Sequence, residues 1–170
     1  MLTAVKKKTH RAKGQTFAIV ASQYNAKYVD AMLRAATAEL RRAGVRRILV
    51  VRVPGAFEIP VIAARLARRA WSGRPGTPAQ PSLAALICLG VILRGETTHA
   101  AHIAEAVTMS LARIQVRYEL PVIHQVLLLE TEAQARVRCL GRKHNRGAEA
   151  AQTALAMAKV MDGLHVTGRR

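Results

Sequence analysis

Residues 83–103 read LAALICLGVILRGETTHAAHI. The opening run, LAALICLG (83–90), is apolar without alternation. It therefore reads as a strand buried on both faces, not one with a wet side. A helical pattern begins near His99 and continues to about Tyr118. Between the two lies a polar turn, Arg94-Gly95-Glu96-Thr97-Thr98. A buried strand passing through a short turn into a long helix is the first half of a βαβ crossover.

The flanking sequence repeats the theme. TFAIVAS (16–22) reads as another buried strand. From Tyr28 to Ala43, Val29, Met32, Leu33, Ala36 and Leu40 follow helical spacing, and Gly44 stops the helix. ILVVRV (48–53) predicts a strand closed by Pro54-Gly55, and PVIAARLARRA (60–70) a helix. The proline- and glycine-rich SGRPGTPAQPS (72–82) reads as a loop. Downstream, Pro121 opens a fourth strand, VIHQVLLL. Helices are expected near Glu132–Arg138 and Ala148–Met161, with Gly147 between them. Strands alternating with helices over short connections predict a parallel four-stranded sheet with helices on both faces. Right-handed crossovers make it a three-layer αβα sandwich.

A chain of 170 residues suits one domain, here read as residues 15–162 between a basic arm (1–14) and a tail (163–170). No apolar run approaches the roughly 20 residues of a membrane span. MLTAVKKKTHRAKG lacks the apolar segment of a secretory signal. Cys88 and Cys139 form no CxxC pair and are expected to be reduced, in a cytoplasmic protein. The net charge of +17 would attract nucleic acid, acidic membrane or anionic small molecules. Yet the basic residues are spread along the chain, apart from Lys6, Lys7, Lys8, His10, Arg11 and Lys13. That spacing predicts solvated faces, with non-specific contact to nucleic acid at most.

In a parallel sheet, ligands bind beyond the carboxyl ends of the strands. Strand one leads into Ser22-Gln23-Tyr24-Asn25, strand two into Pro54-Gly55-Ala56-Phe57-Glu58, and strand three into Arg94 to His99. Together they offer an aromatic ring, an amide, carboxylates, hydroxyls and an imidazole. Gly95 allows close backbone approach, and Thr97 or Thr98 can cap the following helix. The free N–H groups of that helix form an anion site. The His99 imidazole suits proton transfer. Each residue also has a plain reading. Glu96 is favoured at a helix start whatever its role. Tyr24 could plug a groove, Glu58 could cap a helix, and Arg138 could belong to the charged run Arg136, Arg138, Arg142, Lys143.

The blocks Tyr24-Asn25, Val53-Pro-Gly-Ala-Phe-Glu-Ile-Pro60 and Gly90-Val-Ile-Leu-Arg-Gly-Glu-Thr-Thr-His99 fall in order at characteristic distances. With Pro121-Val122, Gln134-Ala135, Arg138 and Asn145-Arg146-Gly147-Ala-Glu-Ala-Ala151, they resemble lumazine synthases of riboflavin biosynthesis, over roughly residues 16–161. The resemblance implies a flavodoxin-like strand order and a transferase needing no metal or organic cofactor. Its substrates would be 5-amino-6-(ribitylamino)uracil and 3,4-dihydroxy-2-butanone 4-phosphate. It implies that Tyr24 stacks on the pyrimidine and that Asn25, Glu58 and backbone around Gly55, Ala56 and Phe57 meet the polyol. Leu93 backbone would meet the pyrimidine edge, and His124 would stand at the site wall. Gly95, Glu96 and Thr97 would hold the phosphate, with Arg138 arriving from a neighbouring subunit. His99 would move protons. The assembly implied is a pentamer, in some members packed into an icosahedral shell.

Two departures stand out. The family usually follows its histidine with an aromatic residue and an aspartate, whereas here Ala100 and Ala101 follow. Position 124 often carries phenylalanine and here is histidine. The rival readings are a charge-driven nucleic-acid module, a metal enzyme using Glu96, His99 and His102, and a paralogue of altered or weak activity. His102 and His144 read as bystanders.

Overall fold

The computed structural model describes residue 12 and residues 14–71, 83–141 and 143–166. Most of the basic arm, the loop 72–82, Arg142 and residues 167–170 lie outside the described residues. The strands are β1 (Thr16–Ser22), β2 (Arg47–Val53), β3 (Leu83–Leu93) and β4 (Val122–Leu129). The helices are α1 (Ala26–Arg42), α2 (Ile59–Trp71), α3 (His99–Tyr118), α4 (Glu132–Ala135) and α5 (Arg146–Val166). All strands are parallel, in the order β2-β1-β3-β4, the flavodoxin-like arrangement.

Each strand sends alternate side chains to opposite faces, because the strand period is two. Phe17, Ile19, Ile87 and Leu89 meet Met32 and Leu40 of α1 and Ala151 and Leu155 of α5. Val20, Leu86 and Cys88 meet Ile59 and Ala63 of α2 and Val107 and Leu111 of α3. This is the three-layer sandwich that the alternation of elements predicts. Order reverses between β1 and β3, so the switch point lies there.

The structure corrects several local readings. β3 continues past Gly90 to Leu93, because Val91, Ile92 and Leu93 pair with Leu127, Leu128 and Leu129 of β4 after the pairing with β1 has ended. Gly147 lies inside α5, not between helices. A Cβ there would stand 2.0 Å from the Met32 carbonyl oxygen, so the glycine marks where α5 presses on α1. The helix expected over 132–138 is α-helical only to Ala135, then widens to a π-helical turn over Arg136–Leu140. β2 also departs from the expectation of strands covered on both faces. It is an outer strand, and Leu49 and Val50 are 46% and 42% exposed.

Both cysteines are free and buried. Burial pushes both thiols upward, that of Cys139 to about 11, which keeps them protonated and unreactive. Among the described residues no helix is long and apolar enough to cross a membrane.

Candidate active site

The turns after β1, β2 and β3 are stitched to one another. Gln23 and Tyr24 donate backbone N–H bonds to the Val53 and Pro54 carbonyls, at 2.8 and 2.9 Å. Asn25 donates its side-chain amide to the Val91 carbonyl at 2.8 Å, reaching across the switch point to β3. Its backbone is left-handed (φ 56°), a conformation asparagine tolerates better than most residues. Its carbonyl accepts from Tyr28 and Val29 N–H, which starts α1.

Arg52 fixes the same turn from below. Its guanidinium donates to Asp30 at 2.5 Å and to the Ser22 carbonyl at 2.9 Å. Sequence reasoning missed this residue. The available signal was a lone arginine near the end of an otherwise apolar strand, ILVVRV.

On this frame, Tyr24 and Phe57 present rings that are 75% and 61% exposed, while Ala56 is buried between the turns. Glu58 reaches back so that its Oε2 accepts the Gly55 N–H at 2.8 Å. Glu58 therefore caps the turn into α2, and its Oε1 remains for another donor.

Leu93 ends β3, and Arg94 donates its N–H to the Leu129 carbonyl at 2.9 Å while pairing with Glu130 at 3.4 Å. Everything from Gly95 to His99 is then exposed. A Cβ on Gly95 would meet nothing within 4 Å, so no contact within the chain requires glycine there. Of the two threonines, Thr97 accepts from the His99 N–H at 3.4 Å, and Thr98 makes no side-chain cap. The Thr98 carbonyl accepts from Ala101 and His102 instead. His99 is the first residue of α3, on the same edge as the rings and carboxylates.

Two expected participants stand apart within one chain. Arg138 lines a groove of about 610 Å³ beyond the outer strand β4, with Val126 to Leu129, Gln134 and Val137. Among the described residues no hydrogen bond or ion pair joins Arg138 to Gly95, Glu96 or Thr97. Its neighbour Arg136 is committed elsewhere. Tyr28 donates to Glu132 at 2.9 Å and Arg136 pairs with the same carboxylate at 3.5 Å. Those contacts, the Tyr28 bond first, lower the Glu132 carboxyl's affinity for protons.

His124 faces α3, in the amino half of β4. Its Nε2 lies 2.8 Å from Thr108 Oγ1, and its Nδ1 accepts the Val126 N–H at 3.1 Å. The Thr108 hydroxyl donates to the Ala104 carbonyl at 2.7 Å, so its single proton is occupied. The ring must therefore be neutral with its proton on Nε2. Burial lowers its pKa in the same direction. Among the described residues no group of three or more His, Cys, Asp or Glu side chains is placed to hold a metal ion.

A parallel sheet of this order, with three tied turns exposing rings, carboxylates and a helix start at the switch point, defines a flavodoxin-like protein with a candidate ligand site at its carboxyl edge. Residues 14–162 match the family model described as 6,7-dimethyl-8-ribityllumazine synthase. A protein of that name from Stenotrophomonas maltophilia is 37% identical over 150 residues, covering 87% of this chain and 90% of its own length. One from Coxiella burnetii is 35% identical over 152 residues (88% and 93%), and one from Kineococcus radiotolerans 36% over 153 (89% and 88%). The chain belongs to the 6,7-dimethyl-8-ribityllumazine synthase family.

Proposed function

We propose that this enzyme condenses 5-amino-6-(ribitylamino)uracil with 3,4-dihydroxy-2-butanone 4-phosphate, giving 6,7-dimethyl-8-ribityllumazine, phosphate and water in the cytoplasm. Within that family, the observation that carries the reading is the tying together of three turns at the switch point. Each turn offers what one part of the reaction needs.

Tyr24 gives the pyrimidine a ring to stack on. Asn25 has its amide committed to Val91, which leaves Oδ1 to accept from a ribityl hydroxyl, and Glu58 Oε1 is disposed the same way. Backbone at Gly55 to Phe57 and at Leu93 lines the pyrimidine and polyol. The exposed turn Gly95, Glu96, Thr97 supplies backbone and hydroxyl groups to the phosphate, next to the start of α3.

His99 moves the protons. The amine attacks the ketone and loses water to give an imine. Phosphate then leaves as the carbon skeleton loses a proton, and ring closure expels a second water. Holding both reactants on one edge contributes much of the acceleration. No acidic residue lies in the first turn of α3, so His99 works there without a carboxylate from its own helix turn.

The pocket is completed by a second subunit. Arg138 from a neighbour, whose fork fits phosphate, enters over the Gly95–Thr97 turn. In support, Arg138 makes no ion pair in its own chain among the described residues. The exposed Tyr24 and Phe57 rings also mark a surface awaiting cover. His124 would reach a substrate only across such a boundary. We take the assembly to be a pentamer, with an icosahedral shell of pentamers as its larger form; light scattering distinguishes the two.

The test uses purified full-length protein with both substrates and EDTA, followed by lumazine fluorescence. Product should form with chelator present. Absence of product at every pH would overturn the reading and favour a paralogue.

A further inference from the structure

The basic residues that are dispersed along the sequence are gathered in space. Crossover helices run antiparallel to the strands, so helix carboxyl ends and strand amino ends share one edge, opposite the candidate site. Arg41 and Arg42 end α1, and Arg46 and Arg47 enter β2. Arg68 and Arg69 lie in the last turn of α2, and Arg113 and Arg117 in the last two turns of α3. All are exposed. Of the ten acidic residues, only Glu39, Glu119 and Asp162 lie towards this edge. Glu39 is already paired with Arg42, and Asp162 accepts from Gln15. Among the described residues Arg46, Arg47, Arg68 and Arg113 make no ion pair.

We propose that this amino edge is a docking surface for the phosphodiester backbone of nucleic acid, independent of the chemistry at the opposite edge. Three observations favour that partner. The cations are arginines, whose planar fork matches phosphate oxygens in pairs. They sit on the ends of helices and a strand spanning both the β2 edge and the α2–α3 layer, so they form a fixed array. A peripheral membrane surface adds aromatic and apolar insertion to its charge. Here the exposed Tyr24 and Phe57 rings lie at the other edge, and the exposed apolar side chains Val116 and Leu164 at this edge are aliphatic and sit on different helices, α3 and α5. No base-reading motif is present in the sequence, so the contact is to backbone and indifferent to sequence.

The experiment measures fluorescence polarisation of labelled single-stranded and duplex oligonucleotides of mixed sequence against full-length protein across a salt series. The variant Arg46→Gln/Arg47→Gln/Arg68→Gln/Arg113→Gln should lose about a hundredfold in affinity near 0.1 M salt. Its slope of log affinity against log salt should shrink by about 3 to 4, roughly one for each arginine–phosphate pair removed. Lys27→Gln/Lys143→Gln, at the opposite edge, should bind within a few-fold of the parent. Should the fourfold variant fail to fold, Arg46→Gln/Arg47→Gln and Arg68→Gln/Arg113→Gln should each shrink the slope by about 2. The proposal is overturned by a parent that does not bind, or by arginine variants that bind as tightly as the parent, which would place the contact on the arm. It is also overturned if phosphatidylserine vesicles compete better than nucleic acid and respond to the same substitutions. Lumazine formation by the variant should match the parent, so failure here leaves the reaction reading standing.

Discussion

The two edges of the sheet handle charge in opposite ways. At the carboxyl edge four arginines are matched to carboxylates, Arg52 to Asp30, Arg94 to Glu130, Arg136 to Glu132 and Arg146 to Glu149, while Arg138 is left for a partner. At the amino edge Arg42 is matched to Glu39, while Arg46, Arg47, Arg68 and Arg113 make no ion pair among the described residues. Exposed ion pairs add little stability, typically under about 1 kcal/mol, so the carboxyl-edge pairs are better understood as fixing loop geometry. Charge without a carboxylate partner projects a field over about a Debye length, ~8–10 Å at physiological salt. One edge is built for directional contacts at defined atoms, and the other for long-range attraction.

The sharpest way to break that division is to remove a group whose value lies only in its position. His99→Ala should lower turnover by about 10²- to 10⁴-fold, the usual contribution of a general acid–base. Because His99 is exposed, urea unfolding should be unchanged. An unaltered rate would remove the histidine from the mechanism, and with it the claim that the carboxyl edge is directional.

Gly147→Ala comes next. The added methyl would lie 2.0 Å from the Met32 carbonyl oxygen, against backbone that cannot yield without moving α1. A loss of about 3 kcal/mol is expected in denaturant unfolding, with activity falling too, since Asn25 immediately precedes α1. A neutral result would mean that the α1–α5 contact is loose.

Arg138→Ala follows. Loss of a charge-assisted bond to phosphate is worth about 1.5–3 kcal/mol, a rise of roughly ten- to a hundredfold in the Michaelis constant for the phosphorylated ketone. If the pyrimidine's constant moves instead, Arg138 is not the phosphate cation.

Much of this architecture was readable because strand cores and β→α turns are local in sequence. LAALICLG and TFAIVAS carry their own burial, and PGAFEIP and RGETTH carry the turns. What escaped depends on which segments meet. Gly147 looks like a helix breaker until Met32 is known to lie against it. ILVVRV has the composition of a central strand yet lies at the border, and its arginine serves a turn on a different strand. The charges of the amino edge lie in four separate stretches of sequence, united only by the rule that crossover helices return to where the strands begin.

His124 tests the boundary between the edges with the smallest effect. As a member of the pocket it should respond to substrate; as part of the α3 packing it should respond to pH. Burial lowers its pKa below the ordinary 6.5, and protonating Nδ1 would break its bond to the Val126 N–H. In the unfolded chain the ring takes up a proton near pH 6.5, whereas in the folded chain it does so only at lower pH. Between those values the unfolded state binds more protons, so stability rises with pH there and is lost as pH falls below about 6.5. The loss is about 1.4 kcal/mol per unit of separation. His124→Phe should abolish that segment of the urea-unfolding pH profile, whatever it does to absolute stability. If the slope survives the substitution, another group is responsible. If the Michaelis constant for the pyrimidine also changes several-fold, the ring reaches a substrate across the subunit boundary, and the directional edge extends further down β4 than one chain reveals.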